Sequence, residues 1–141
     1  MTQPDWKPLT LVTNTVRAKP DGLWTLVHEY MEGPVKLKLT ASGQWYFAPG
    51  RSCGPDGLRD VGYGDTLLLG SAPLGALIAK VGGSSAEKPD AGKQVIFAVG
   101  QTCVIQLDDK AKGPLFLSMN DSPLRFGGHS KDLKIEAWEW R

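Results

Sequence analysis

Glycine and proline recur so evenly in this chain that few stretches of about ten residues escape one. That spacing argues against long helices before any strand is considered. There are 17 glycines and 10 prolines in 141 residues. Glycine weakens a helix through backbone entropy, and proline breaks it by removing an N–H and crowding the preceding turn. Strand signals fill the intervals. Val35, Leu37, Leu39 and Ala41 alternate strictly with Lys36, Lys38 and Thr40, the pattern of a half-buried antiparallel strand. Similar runs lie at Leu9–Val16, Leu23–Met31, Trp45–Phe47, Thr66–Leu69, Ala76–Val81, Val95–Val99, Thr102–Leu107, Leu115–Met119 and Leu133–Trp138. Turn clusters such as Lys19-Pro20-Asp21-Gly22, Glu32-Gly33-Pro34, Gly82-Gly83-Ser84-Ser85 and Lys112-Gly113-Pro114 separate them. The spacing predicts an all-β, single-domain β-sandwich over residues 1–141, in a jelly-roll arrangement. Ser84–Lys93 reads as a polar surface loop, and Pro73–Ala79 as strand in preference to a helical turn.

Charge and cysteine usage exclude several function classes. The 16 basic and 15 acidic side chains are interspersed, leaving a net charge of +1 and no basic stripe of the kind that neutralises phosphates. No window approaches the ~18 consecutive apolar residues of a membrane-spanning helix. The N-terminal Met1–Trp6 lacks the basic and apolar regions of a secretory signal, which predicts a cytoplasmic protein whose export would need another route. Cys53 and Cys103 are far apart and outside any metal-type spacing, so both are expected as buried free thiols.

The most informative stretch is 113–135. An apolar strand ends at Met119, a polar loop opens with Asn120-Asp121 and carries Arg125, Gly127, Gly128 and His129, and a second alternating strand follows. Such a loop collects hydrogen-bonding groups and a carboxylate at one end of a sandwich, where a sugar or a cation could sit. Asn, Asp, Ser and Pro are also ordinary turn formers, so turn chemistry competes with a ligand role at Asp121. Phe47 and Tyr63 stand in neighbouring loops and offer aromatic faces, although Trp45-Tyr46-Phe47 must also supply core. Catalysis has little support. No Ser or Cys occupies a nucleophile elbow, and the acidic residues have no spacing that would force two carboxylates across one site.

These residues resemble the calcium-dependent, galactose-binding bacterial lectins of the PA-I type over nearly the whole chain. The resemblance runs through Trp6-Lys7, Asn14, Leu39-Thr40-Ala41-Ser42-Gly43, Pro49 and Gly54-Pro55-Asp56-Gly57. It continues through Gly75-Ala76-Leu77 and Val81-Gly82, then Asn120-Asp121, Pro123, Phe126-Gly127 and Ser130. It implies a jelly-roll sandwich with a bound calcium ion that touches the sugar directly. It also implies calcium ligands at the backbone carbonyls of Phe47 and Arg125, the Asp121 carboxylate, and the side chains of positions 128 and 129.

The chain departs from that pattern where Gly128 and His129 replace side-chain amides. Glycine offers no side-chain oxygen, and imidazole nitrogen suits calcium poorly. Arg125 could instead pair with Asp121 and neutralise it as the ion would. The second sugar-reading loop of the family corresponds to Asp60–Asp65, where Val61-Gly62-Tyr63-Gly64 gives a different sequence and about one extra residue. The expectation is therefore a carbohydrate-binding module with weak or no calcium binding. Its saccharide contacts would come from Phe47, Tyr63, Asp121, Arg125 and His129, with avidity supplied by homo-oligomers. The competing expectation is a protein-interaction or structural sandwich domain that has lost the sugar and calcium site.

Overall fold

The computed structural model describes residues 5–18, 23–58, 67–85, 94–121 and 129–141. The strand with the clearest alternation becomes the middle of the larger sheet. Val35, Leu37, Leu39 and Ala41 of β4 (Val35–Gly43) are buried, while Lys36, Lys38 and Thr40 are half-buried on the outer face. On one side β4 pairs with β9 (Thr102–Leu107), and on the other with β11 (Asp132–Trp140), both antiparallel. β1 (Lys7–Pro8) and β2 (Thr15–Arg17) then add to β11, completing a five-stranded sheet. The second sheet has the order β3–β10–β7–β8, from Thr25–Glu32, Lys112–Met119, Leu77–Val81 and Val95–Ala98. A small hairpin of β5 (Trp45–Ala48) and β6 (Arg51–Cys53) turns through Pro49-Gly50, where Gly50 has φ 71°.

The main core lies between the two sheets. Leu37, Leu39, Leu133 and Ile135 meet Val27, Met31, Leu115, Leu117 and Met119 there. The result is an all-β sandwich of antiparallel sheets, as the glycine and proline spacing and the alternation predict. No helix of the described residues is long and apolar enough to cross a membrane.

The smaller sheet is covered on both sides. Every residue of β7 is buried, which a strand with one wet face cannot achieve. Its outer face packs Ile78 with Trp24, Phe116, Ala72 and Ala76, and Leu68 and Leu69 press on the same cluster. Lys80 belongs to this face as well. Its ammonium lies 4.6 Å from the Trp24 ring and 5.1 Å from the Phe116 ring, and donates to the Ser84 carbonyl at 2.8 Å. Aromatic faces and a carbonyl thus replace part of the water this cation loses.

Several sequence expectations need correction. Of Pro73–Ala79, read as strand, only Leu77–Ala79 belongs to β7, and Leu74-Gly75 form a turn. Lys112-Gly113-Pro114, read as a turn cluster, opens β10. Leu9–Val16 is not one strand, because regular pairing stops after Pro8 and resumes only at Thr15. The described part of Thr66–Leu69 is a bend packed as a cover over the smaller sheet. Arg51–Cys53, which none of the predicted strand runs covers, is paired to β5. Both cysteines are free, with Cys53 buried and Cys103 half-buried.

Candidate functional site

One end of the sandwich is assembled around the last residues of β10. Asn120 is fully buried, and its amide ties the 67–76 cover to the sheet. The Asn120 carbonyl oxygen Oδ1 accepts from the Leu69 N–H at 2.8 Å. Its Nδ2 donates to the carbonyls of Leu69, Ala72 and Pro73 at 2.9, 3.0 and 3.1 Å. Two amide hydrogens shared among three carbonyls leave no donor for a ligand. The backbone carbonyl of Asn120 accepts from Gly75 N–H at 2.7 Å, and its own N–H donates to Ala76 at 2.8 Å. Asn120 is thus a clamp within the fold.

Gly75 links this clamp to the β5–β6 hairpin. Its carbonyl accepts from Trp45 Nε1 at 2.9 Å, and the Cys53 thiol lies 3.6 Å from the same oxygen. Gly75 has φ 84°, and a Cβ there would stand 2.5 Å from Cys53 Sγ. Glycine is required on both counts. Across the hairpin, Tyr46 and Ser130 exchange backbone hydrogen bonds of 2.9 and 3.2 Å. The segment after Trp45 and the segment after Met119 therefore share one end of the molecule.

Asp121 and His129 meet at that end. His129 Nε2 donates to Asp121 Oδ2 at 2.9 Å, and the two residues are only 4% and 2% exposed. The Asp121 backbone carbonyl also accepts from Leu68 N–H at 3.1 Å, fixing the carboxylate's position. Phe47 comes to the same end with 6% exposure, its ring packed in the main core and the Arg51 guanidinium 5.3 Å from the ring centre. Of the residues selected from sequence, Phe47, Asp121 and His129 are thus brought together. Tyr63 and Arg125 lie outside the described residues, as do Asp60–Asp65 and 122–128.

Among the described residues the donor set does not suit calcium. That ion takes six to eight oxygens, yet Asp121 Oδ2 already accepts the imidazole N–H. Position 128 is glycine, and among the described residues no three His, Cys, Asp or Glu side chains gather as a metal group.

Two further surface features lie away from the predicted site. A cleft of about 520 Å³ is lined by Thr13, Thr15, Arg17, Thr25, Ser130, Lys131 and Asp132. The alternating Thr13-x-Thr15-x-Arg17 was its available signal. On the outer face of the larger sheet, Trp138 and Trp140 join Trp6, whose ring centre is 6.0 Å from that of Trp140. The Lys36 and Lys38 ammoniums lie 4.2 and 5.2 Å from the rings of Trp140 and Trp138.

No protein-family model matches the chain, and no curated protein matches it. Among solved structures, the chain is similar to the N-terminal domain of EclA, described as a PllA-like lectin. The likeness has a TM-score of 0.62 and covers 92% of this chain and 98% of that domain, at 16% identity. At that identity the likeness concerns the fold alone, an antiparallel β-sandwich like that of the lectin domain.

Proposed function

We propose that this chain is a non-enzymatic carbohydrate-binding module whose saccharide site lies at the Asp121–His129 end and works without calcium. The observation that carries the reading is the buried Asp121–His129 hydrogen bond, set beside the Tyr46–Ser130 bridge on a fold shared with a lectin domain. An imidazole N–H gives the carboxylate a fixed donor where a lectin of the PA-I type would use a cation. Exposed Ser130, next to His129, and exposed Arg51, over the Phe47 ring, can donate to sugar hydroxyls. Phe47 contributes by supporting Arg51, since its ring is too enclosed to stack on a sugar. Binding at a single site of this size is expected to be weak, with avidity gained through homo-oligomers. Screening the chain against immobilised neutral and acidic glycans tests the reading. Binding that falls on Arg51→Ala supports it, and silence across all glycans overturns it.

A second reading, a protein-interaction or structural domain, is favoured by one observation. The side chains of Asn120 and Asp121 both hold internal hydrogen bonds, while Trp6, Trp138 and Trp140 remain partly exposed on the opposite surface of the larger sheet. The same screen separates the two readings.

A further inference from the structure

We propose that the cleft between β2, β3 and the start of β11 is a second binding site, for a saccharide carrying an oxyanion. The site is separate from the Asp121–His129 pair, although Ser130 borders both. Its volume of about 520 Å³ is that of a small-molecule pocket.

The lining matches an acidic sugar in both of its chemistries. Arg17 and Lys131 supply two cations against the single carboxylate of Asp132, so the lining carries one net positive charge (two minus one). Arg17 and Asp132 are partners in the β2–β11 register. Among the described residues, however, the ion pairs are Lys112–Glu32, His129–Asp121 and Arg141–Glu139, and neither cation of the cleft takes part. Both are left to face an anion, for which a guanidinium provides a planar two-pronged donor. Asp132 can accept from a sugar hydroxyl, and the hydroxyls of Thr25 and Ser130 can donate or accept.

Two features of the cleft cost stability. The first is Thr25 Oγ1, a buried hydroxyl with no hydrogen-bond partner. Buried polar groups in folded proteins are rarely left so, and this one belongs to a residue that lines the cleft. The second is Lys131, which has φ 70°. That left-handed conformation is unfavourable for any residue with a Cβ, and glycine would hold it without strain. Its carbonyl is fixed by the Ala18 N–H at 2.8 Å, so the backbone is held there while the side chain lines the cleft. Strain of this kind concentrates where a side chain is needed. Thr13 and Thr15 stiffen the far wall. The Thr13 hydroxyl accepts from Thr15 N–H at 3.2 Å, and the two hydroxyls are themselves 3.2 Å apart.

The anion follows from the cleft alone, and the saccharide carrier rests in part on the proposed function. Backbone amide NMR on the full chain separates them, using glucuronic acid, glucose 6-sulfate, glucose and inorganic sulfate as probes. Saturable shifts at 13–17, 25 and 130–132 with one or both acidic sugars, and not with glucose, are expected. The carboxylate and sulfate arms show which oxyanion is preferred. Arg17→Gln should weaken binding at least tenfold. Thr25→Val and Lys131→Gly should each weaken binding while leaving the melting temperature unchanged or higher, the opposite of what loss of a structural residue does. Shifts that are absent with both acidic sugars, equal with glucose, or indifferent to Arg17→Gln would overturn the proposal. Inorganic sulfate binding alone would overturn it too, as an adventitious ion only. Glucose shifts confined to 45–51 and 129–130, with no response of the cleft to either acidic sugar, would uphold the proposed function while refuting the second site.

Discussion

Asp121 and His129, eight positions apart and on either side of a loop, face each other at 2.9 Å with almost no access to water. A buried carboxylate next to an imidazole is stable only as a pair, because removing one partner strands the other in a medium that solvates it poorly. His129→Ala should therefore cost about 3–5 kcal/mol of unfolding free energy. Asp121→Asn with His129→Gln together should cost clearly less than the sum of the single changes. Chemical denaturation of the four variants of this cycle measures the coupling, and additive costs would show that the pair does not act as a unit.

Asn120→Ala should destabilise by about 2–4 kcal/mol, since it unpairs the Leu69 N–H and the Ala72 carbonyl and takes one of two donors from the carbonyls of Leu69 and Pro73. The loss should be local before it is global. Hydrogen exchange at 67–76 is expected to accelerate more than exchange in β4 or β11. Equal acceleration throughout would mean that the amide is not the clamp.

Gly75→Ala adds a methyl group that stands 2.5 Å from Cys53 Sγ, at a backbone φ of 84°. Strain and overlap together should lower stability by about 2–4 kcal/mol. Adding Cys53→Gly should recover the overlap part and leave the backbone part. Thermal melts that give the single and double variants the same midpoint would refute the contact.

Burial lifts the Cys53 thiol from its ordinary 9.0 to about 11, against a smaller opposing pull from the hydrogen bond with Trp45. The folded chain thus favours the neutral thiol. Below pH 9 both folded and unfolded chains keep the proton, so the contribution is complete there. Between pH 9 and about 11 the unfolded chain ionises first, and stability drains at up to about 1.4 kcal/mol per pH unit. Cys53→Ala should flatten that decline. At pH 8 a thiol reagent should label half-buried Cys103 before buried Cys53, and equal rates would contradict the burial argument.

How much of this was readable in the sequence depended on whether a segment has one wet face. β4 and β11 do, and Val35–Ala41 and Leu133–Trp138 announce themselves by alternation. β7 has none, so Leu77–Val81 gives an apolar run whose partner on the outer face, the bend at 67–69, also looks like a strand. Arg51–Cys53 is too short, and too polar at Arg51 and Ser52, to signal pairing, which is imposed by the turn at Pro49-Gly50. Within the candidate site, the strand-to-loop junction at Asn120-Asp121 was legible because polar residues follow an apolar run. The inward direction of both side chains was not, because it depends on Leu69, Ala72, Pro73 and His129, all remote in sequence or beyond the loop. Tyr63 and Arg125 lie outside the described residues, so their part in the site rests on sequence.

Glycan binding by the intact chain, measured on one immobilised panel in excess chelator and again in millimolar calcium, bears most directly on the account. The account predicts the same glycans at the same strength in both conditions, because His129 already holds the Asp121 carboxylate. Binding that disappears in chelator and returns with calcium would contradict it.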